Sequence, residues 1–261
     1  MEDLFEPLPD LDQLPLLAQA IHYQKPITHL LQLIQNGANV NEEVVCYPYH
    51  HYVTHLLVFT VYRYGSTSNI LINSLMYPHN FSHLRYLSDV LYLLLDHGAD
   101  PSCFLPFHDH LIPFLHNDPA LLPYMIERGL IITVQGKREK TILHRSVEHL
   151  TYWIEDPDKM GERLAVIHQL LDLGVDPDLQ DREGETVLHC LLRLPITPPL
   201  FRLLQRLLPM VDVNREDNQG DTPLHHYLLT YPSNRRIHTI PRQQVIDLLT
   251  SKGVENPFPV S

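Results

Sequence analysis

Eighteen histidines and three cysteines are the residues of this 261-residue chain whose types could carry chemistry. His50, His51 and His55, and again His79 and His83, include pairs four residues apart, which on a helix would face the same way and could ligate zinc. His108 and His110 form a third, closer pair. No cysteine or carboxylate stands at a ligand spacing beside any of them, and the H-E-x-x-H pattern is absent, so neither a metal nor another cofactor is expected. Cys46 or Cys103 could act as a nucleophile beside one of the histidines, with residues 62–85 as the place for such a site. Phosphate-cradling glycine loops and the G-x-S-x-G elbow are missing. No catalytic residue is therefore assigned, and an enzyme built on 62–85 is kept as an alternative. Cys46, Cys103 and Cys190 lie far apart, which suits a reducing compartment better than a disulfide framework.

Three other histidines belong to a sentence the chain repeats: Thr141-Ile142-Leu143-His144, Thr186-Val187-Leu188-His189 and Thr222-Pro223-Leu224-His225. The threonines are 45 and 36 residues apart, the period range of stacked supersecondary repeats that cannot bury their apolar faces alone. Threonine can cap a helix through its hydroxyl, proline at the next position gives up no helical hydrogen bond, and leucine starts the buried face. The histidine can then bond backbone across a turn or in the adjacent repeat, which makes His144, His189 and His225 structural. A second periodic signal is the helix stop, seen at Asn36-Gly37-Ala38-Asn39, His97-Gly98-Ala99-Asp100 and Leu173-Gly174-Val175-Asp176, and in weaker form at Arg128-Gly129-Leu130 and Lys252-Gly253-Val254-Glu255. Apolar residues three and four positions before the first four of these glycines supply the buried face of the last helical turn.

These residues resemble the ankyrin-repeat family, whose unit is a turn, a helix opening on T-P-L-H, a second helix ending in L-L-x-x-G-A-D, and a loop. Asp181-Arg182-Glu183-Gly184-Glu185-Thr186 and Asp217-Asn218-Gln219-Gly220-Asp221-Thr222 carry the turn as well. The resemblance implies an all-α helical-repeat solenoid in one domain, with about six helix-turn-helix repeats at 13–41, 42–101, 102–134, 135–178, 179–214 and 215–256 behind an acidic segment 1–12. Insertions at 63–84, 155–161 and 231–242 stretch the second, fourth and sixth repeats between their two helices. Residues 70–76 of the first insertion read as a short extra helix. Where the family has small residues this chain has Ser146 but also Leu191 and Tyr227, and the fifth repeat ends on Pro209-Met210-Val211-Asp212 without a glycine.

By the same resemblance, protein partners bind the turn tips and the concave face. The partner-binding residues expected are Lys137, Arg138 and Lys140, then Arg182, Glu183 and Glu185, then Asn218, Gln219 and Asp221. In the second repeat they are His50 and His51, if Thr54-His55-Leu56 is a degraded form of the motif. A net charge of −12 argues against generic nucleic-acid binding. With 44% apolar and 19% charged residues, no apolar stretch long enough for a membrane span and no signal-like N-terminus, the expected protein is a cytoplasmic monomer that binds another protein. The chain looks similar to ankyrin effectors of intracellular bacteria or large viruses, which implies delivery to a host cytosol without a cleaved signal peptide and a host protein as partner. Leu8-Pro9-Asp10-Leu11, Leu14-Pro15-Leu16-Leu17 and Ile21 also resemble the opening of an F-box, which would make the chain a ubiquitin-ligase adaptor.

Overall fold

Prolines open six and glycines close five of the ten α-helices named below in the computed structural model, which describes residues 15–41, 43–46, 52–55, 81–102, 111–112, 115, 118–133, 135–230 and 239–254. The chain divides into two compact parts, Met1–Ile131 and Ile132–Ser261. In the first part, Pro15 precedes α1 (Leu16–His22) and Pro26 precedes α2 (Ile27–Gln35). Each lacks a side-chain cap, and proline's fixed φ pre-sets the entry instead. Next come a short hairpin of β1 (Glu43–Cys46) and β2 (Tyr52–His55), then α3 (Phe81–Asp96) and α4 (Leu121–Glu127). Leu17, Ile21, Leu30, Leu87, Leu91 and Leu94 are among the fully buried core residues of this part. Leu17 and Ile21, two of the F-box-like residues, are thus spent on packing α1 within its own repeat.

The hairpin corrects one expectation. β1 and β2 pair antiparallel with Val44 opposite Thr54 and Val45 opposite Val53, so Thr54 lies inside a strand and starts no helix. Val44-Val45 and Tyr52-Val53-Thr54 are β-branched and aromatic, the types that favour a pleated conformation. Elsewhere the described elements are helical, as expected. The insertion 63–84 falls outside the described residues up to position 80, as do His50, His51, Cys103, His108 and His110.

In the second part, α5 (Ile142–His149), α7 (Val187–Leu192) and α9 (Pro223–Thr230) are the first helices of their repeats, and α6 (Pro157–Asp172), α8 (Pro198–Leu207) and α10 (Arg242–Thr250) the second. α7 packs on both α5 and α9, while α6 packs on α5 and α8. Asp156 caps α6 by accepting the Lys159 N–H at 3.1 Å, with Pro157 in the first helical position. The extra residues of the fourth repeat are therefore mostly helix: they lengthen the start of α6 rather than form a loop. The stop glycines Gly37, Gly98, Gly129, Gly174 and Gly253 all take positive φ, between 82° and 105°. The fifth repeat, lacking that glycine, ends through a 3-10 turn at Leu208–Met210.

Four of these helix ends carry a second device. Asn39, Asp100, Asp176 and Asp212 accept the N–H two residues on, holding the loop in a local turn. The residue so positioned then reaches the next repeat: Asn41 donates to the Gly98 carbonyl at 2.8 Å and accepts the Asp100 N–H at 2.8 Å, Asp178 accepts the Asp212 N–H at 3.0 Å, and Asn214 donates to the Gly253 carbonyl at 2.9 Å.

Candidate partner-binding face of repeats four to six

The face is built on three turns held to one another by main-chain hydrogen bonds. In the fifth repeat Asp181 Oδ1 accepts the Glu183 and Glu185 N–H groups at 3.0 and 2.9 Å, and Asp217 Oδ1 does the same in the sixth for Gln219 and Asp221 at 2.8 and 3.0 Å. The Arg182 N–H donates to the Arg138 carbonyl at 2.9 Å, and the Asn218 N–H to the Glu183 carbonyl at 3.1 Å. Gln180 Nε2 adds a side-chain rung to the Glu216 carbonyl at 2.9 Å. Successive turns thus stand in fixed register, and of the tip side chains the frame uses that of Asn218, whose Nδ2 donates to the Arg182 carbonyl at 2.9 Å.

The fourth repeat makes the same turn without the same residues. The Gly136 N–H bonds the Lys140 carbonyl at 2.8 Å, as the Asp181 N–H bonds that of Glu185 at 2.9 Å. Glu139 occupies the place of Gly184 and Gly220, and takes φ 57°. A side chain in the left-handed region costs about 1–2 kcal/mol. Glu139→Gly should therefore raise stability by about 1 kcal/mol, read as a higher urea midpoint at unchanged slope.

Behind the turns, each threonine and histidine close a reciprocal cap. The Thr141 hydroxyl oxygen accepts the His144 N–H at 3.3 Å, and His144 Nδ1 accepts the Thr141 N–H at 3.3 Å. His189 and His225 accept the N–H of Thr186 and Thr222 through Nδ1, both at 3.0 Å. Since Nδ1 is the acceptor, the proton sits on Nε2. Nε2 then donates across the repeat boundary, from His144 to the Glu185 carbonyl at 3.0 Å and from His189 to the Asp221 carbonyl at 3.1 Å. On the other edge of the same boundary, Arg206 donates from Nη1 to His168 Nδ1 at 2.8 Å and from Nη2 to Asp172 at 2.5 Å.

His144, His189 and His168 make these bonds only when neutral. Burial depresses the pKa of His144 and His189, and burial together with the Arg206 cation depresses that of His168. The unfolded chain takes up protons near the ordinary value of 6.5 while the folded chain does not. The contribution is therefore complete above pH 6.5 and is lost as pH falls below it. Thermal melts should show a lower Tm at about pH 5 than at about pH 7.5, and replacing His168 by Gln should make the difference smaller.

Of the residues expected to touch a partner, Arg138, Arg182, Glu183, Asn218 and Gln219 are exposed at the tips, and Asp221 is half-buried. The Lys137 side chain lies outside the described residues. Two assignments are corrected. Lys140 is only 7% exposed: it pairs with Glu148 and lies 3.2 Å from Asp181 Oδ2, whose side chain is fully buried. Burial would lower the lysine pKa, but the two carboxylates hold it above its ordinary value. Glu185 is 9% exposed and pairs with Arg193. Both side chains fold back under the tips because a counter-charge waits in or at the end of the following helix.

Glu185, Asp217 and His226 also bring three ligand atoms within 4.8 Å of one another. These atoms already have protein partners: Glu185 pairs with Arg193, and His226 Nε2 donates to Asp217 Oδ2 at 2.9 Å. Burial would raise the Asp217 pKa, yet His226 and two backbone N–H groups hold it below the usual carboxylate value. Cys190 is buried beneath this layer, and burial pushes its thiol up to about 12, far from the thiolate that nucleophilic chemistry requires.

A crystallographically determined ankyrin repeat domain from Acinetobacter baumannii AYE superposes on this chain with a TM-score of 0.59, covering 92% of this chain and 98% of that one at 14% identity. The fold is an ankyrin-repeat fold. An ankyrin repeat protein of Acanthamoeba polyphaga mimivirus is 27% identical over 180 residues, which are 62% of this chain and 22% of the viral protein. The chain thus matches about a fifth of that relative's length. No family model matches the sequence. Within the ankyrin repeats the threonine and histidine of each T-x-L-H are scaffold, and the residues just before them divide into tips that face out and charges that fold back.

Proposed function

We propose that repeats four to six bind a protein partner across the turn tips, with Arg138, Arg182, Glu183 and Gln219 as contact residues and no catalytic step. The observation that carries this reading is the division of labour in the turns. Main-chain groups, buried aspartates and the side chains of Gln180 and Asn218 make the frame, so the tip side chains of Arg138, Arg182, Glu183 and Gln219 are available to be set by a partner. The tips alternate basic and acidic groups over a few residues, which orients a partner of opposite pattern. The chain acts as a monomer in the cytoplasm. Its likeness to a protein of a large virus favours an effector that engages host proteins.

Affinity capture from host-cell lysate tests this with wild type and an R138A/R182A/E183A variant. The reading expects a defined protein recovered by wild type and depleted at least about tenfold by the variant, roughly 1.4 kcal/mol. Equal recovery by both would contradict it.

A further inference from the structure

Lys140, Glu185 and Asp221 each stand immediately before a repeated threonine, and Glu148, Arg193 and Leu229 follow each of them by eight residues. In the fourth repeat the two positions are joined as an ion pair, Lys140 with Glu148. In the fifth they are joined again with the signs reversed, Glu185 with Arg193. In the sixth the acid remains and the cation is replaced by leucine. Because α7 packs on both α5 and α9, Glu148 on α5, Arg193 at the C-terminal cap of α7 and Leu229 on α9 hold equivalent positions in neighbouring repeats. Two repeats neutralise themselves at these positions, and the third does not.

Asp221 is held in place by its main chain, with its N–H on Asp217 Oδ1 at 3.0 Å and its carbonyl accepting from His189 at 3.1 Å. Its carboxylate has no ion-pair or hydrogen-bond partner among the described residues. Leu229 is 73% exposed, more than any other large apolar residue described. One exposed leucine is ordinary on a protein surface. What distinguishes this one is that it stands where the two preceding repeats hold a charge, next to the acid such a charge would pair.

We propose that Asp221 and Leu229 form a docking point for a basic side chain of the partner, arginine or lysine, whose methylene stem lies on Leu229 and whose cation pairs with Asp221. The Lys140–Glu148 and Glu185–Arg193 pairs show that a long cationic stem spans these two positions. Arginine and lysine are the side chains that join an apolar stem to a charged head. The protein's net charge of −12 favours approach of a basic segment and disfavours an acidic one. This docking point rests on the reading of repeats four to six as a partner-binding face, and it names the chemistry the partner must bring.

Random peptides displayed on phage and selected against the wild-type protein provide the test, with the enriched peptides then titrated by calorimetry. Enriched sequences should carry Arg or Lys, and should lose at least about tenfold in affinity for D221A and for L229R. L229R restores an internal pair like that of Glu185 and Arg193, so it should melt no lower than wild type, which separates lost docking from lost folding. Enriched peptides without a basic residue, or peptides that bind D221A and L229R as tightly as wild type, would overturn the docking point. If such peptides instead lose affinity for R138A/R182A/E183A, the partner-binding face stands and only this docking point falls; if no peptide is enriched, both fall.

Discussion

Gly184→Ala is expected to destabilise the protein by about 3 kcal/mol, lowering Tm by about 6–12 °C, whereas Gly220→Ala one repeat later should cost about 1–2 kcal/mol. Both glycines take positive φ, 81° and 83°. They differ in what a methyl group would meet. At Gly184 the new carbon would lie 2.6 Å from the Asn218 backbone nitrogen and 2.7 Å from its Oδ1, while at Gly220 nothing stands within 4 Å. Asn218 cannot yield, because its N–H is bonded to the Glu183 carbonyl and its Nδ2 to the Arg182 carbonyl at 2.9 Å. The substitution would therefore pry apart the rung between the fifth and sixth turns. Equal losses at the two positions would show that backbone strain alone is at work and that the rung is not tightly packed.

Asp181→Ala is expected to cost about 3–5 kcal/mol, which is the range for removing one member of a buried ion pair. The side chain performs two tasks from full burial: Oδ1 accepts two main-chain N–H groups of the turn, and Oδ2 faces Lys140 at 3.2 Å. Alanine leaves the N–H groups of Glu183 and Glu185 without their acceptor and leaves Lys140 to Glu148 alone. Asparagine keeps an acceptor at Oδ1 and removes only the charge, so Asp181→Asn should cost about half as much. Chemical denaturation of the two variants beside wild type measures both. If asparagine proves as damaging as alanine, the ion pair and not the turn is the larger contribution.

The repeat architecture was legible because T-x-L-H and the glycine stops are local chemistry: a threonine that caps, a histidine that returns the bond, a glycine that enters the left-handed region. The tips could also be located, since they are fixed by their distance from the threonine. The fate of Lys140 and Glu185 could not be read from the turn alone, because it depends on charges eight residues later in the next helix. Glu148 and Arg193 were visible in the sequence, and their reversed order beside Lys140 and Glu185 was the signal that these side chains pair inward. At Thr54 the threonine before a histidine looks like a cap, while the β-branched and aromatic residues flanking it set a strand. Glu139 gave no warning either. Only its alignment with Gly184 and Gly220 shows that a carboxylate side chain sits on a left-handed backbone.

The turn side of the repeats is held to be where binding occurs, and the second helix of each repeat to be only support. Calorimetric titration of a captured partner against two sets of variants separates these directly. One set changes the tips, Arg138, Arg182, Glu183 and Gln219, to alanine; the other changes Gln243, Gln244 and Asp247, exposed on the second helix of the last repeat. Affinity should fall by at least about tenfold for the tip set and stay within about twofold of wild type for the helix set, with both sets melting near wild type. Loss of affinity confined to the helix set would contradict the assignment of the binding face.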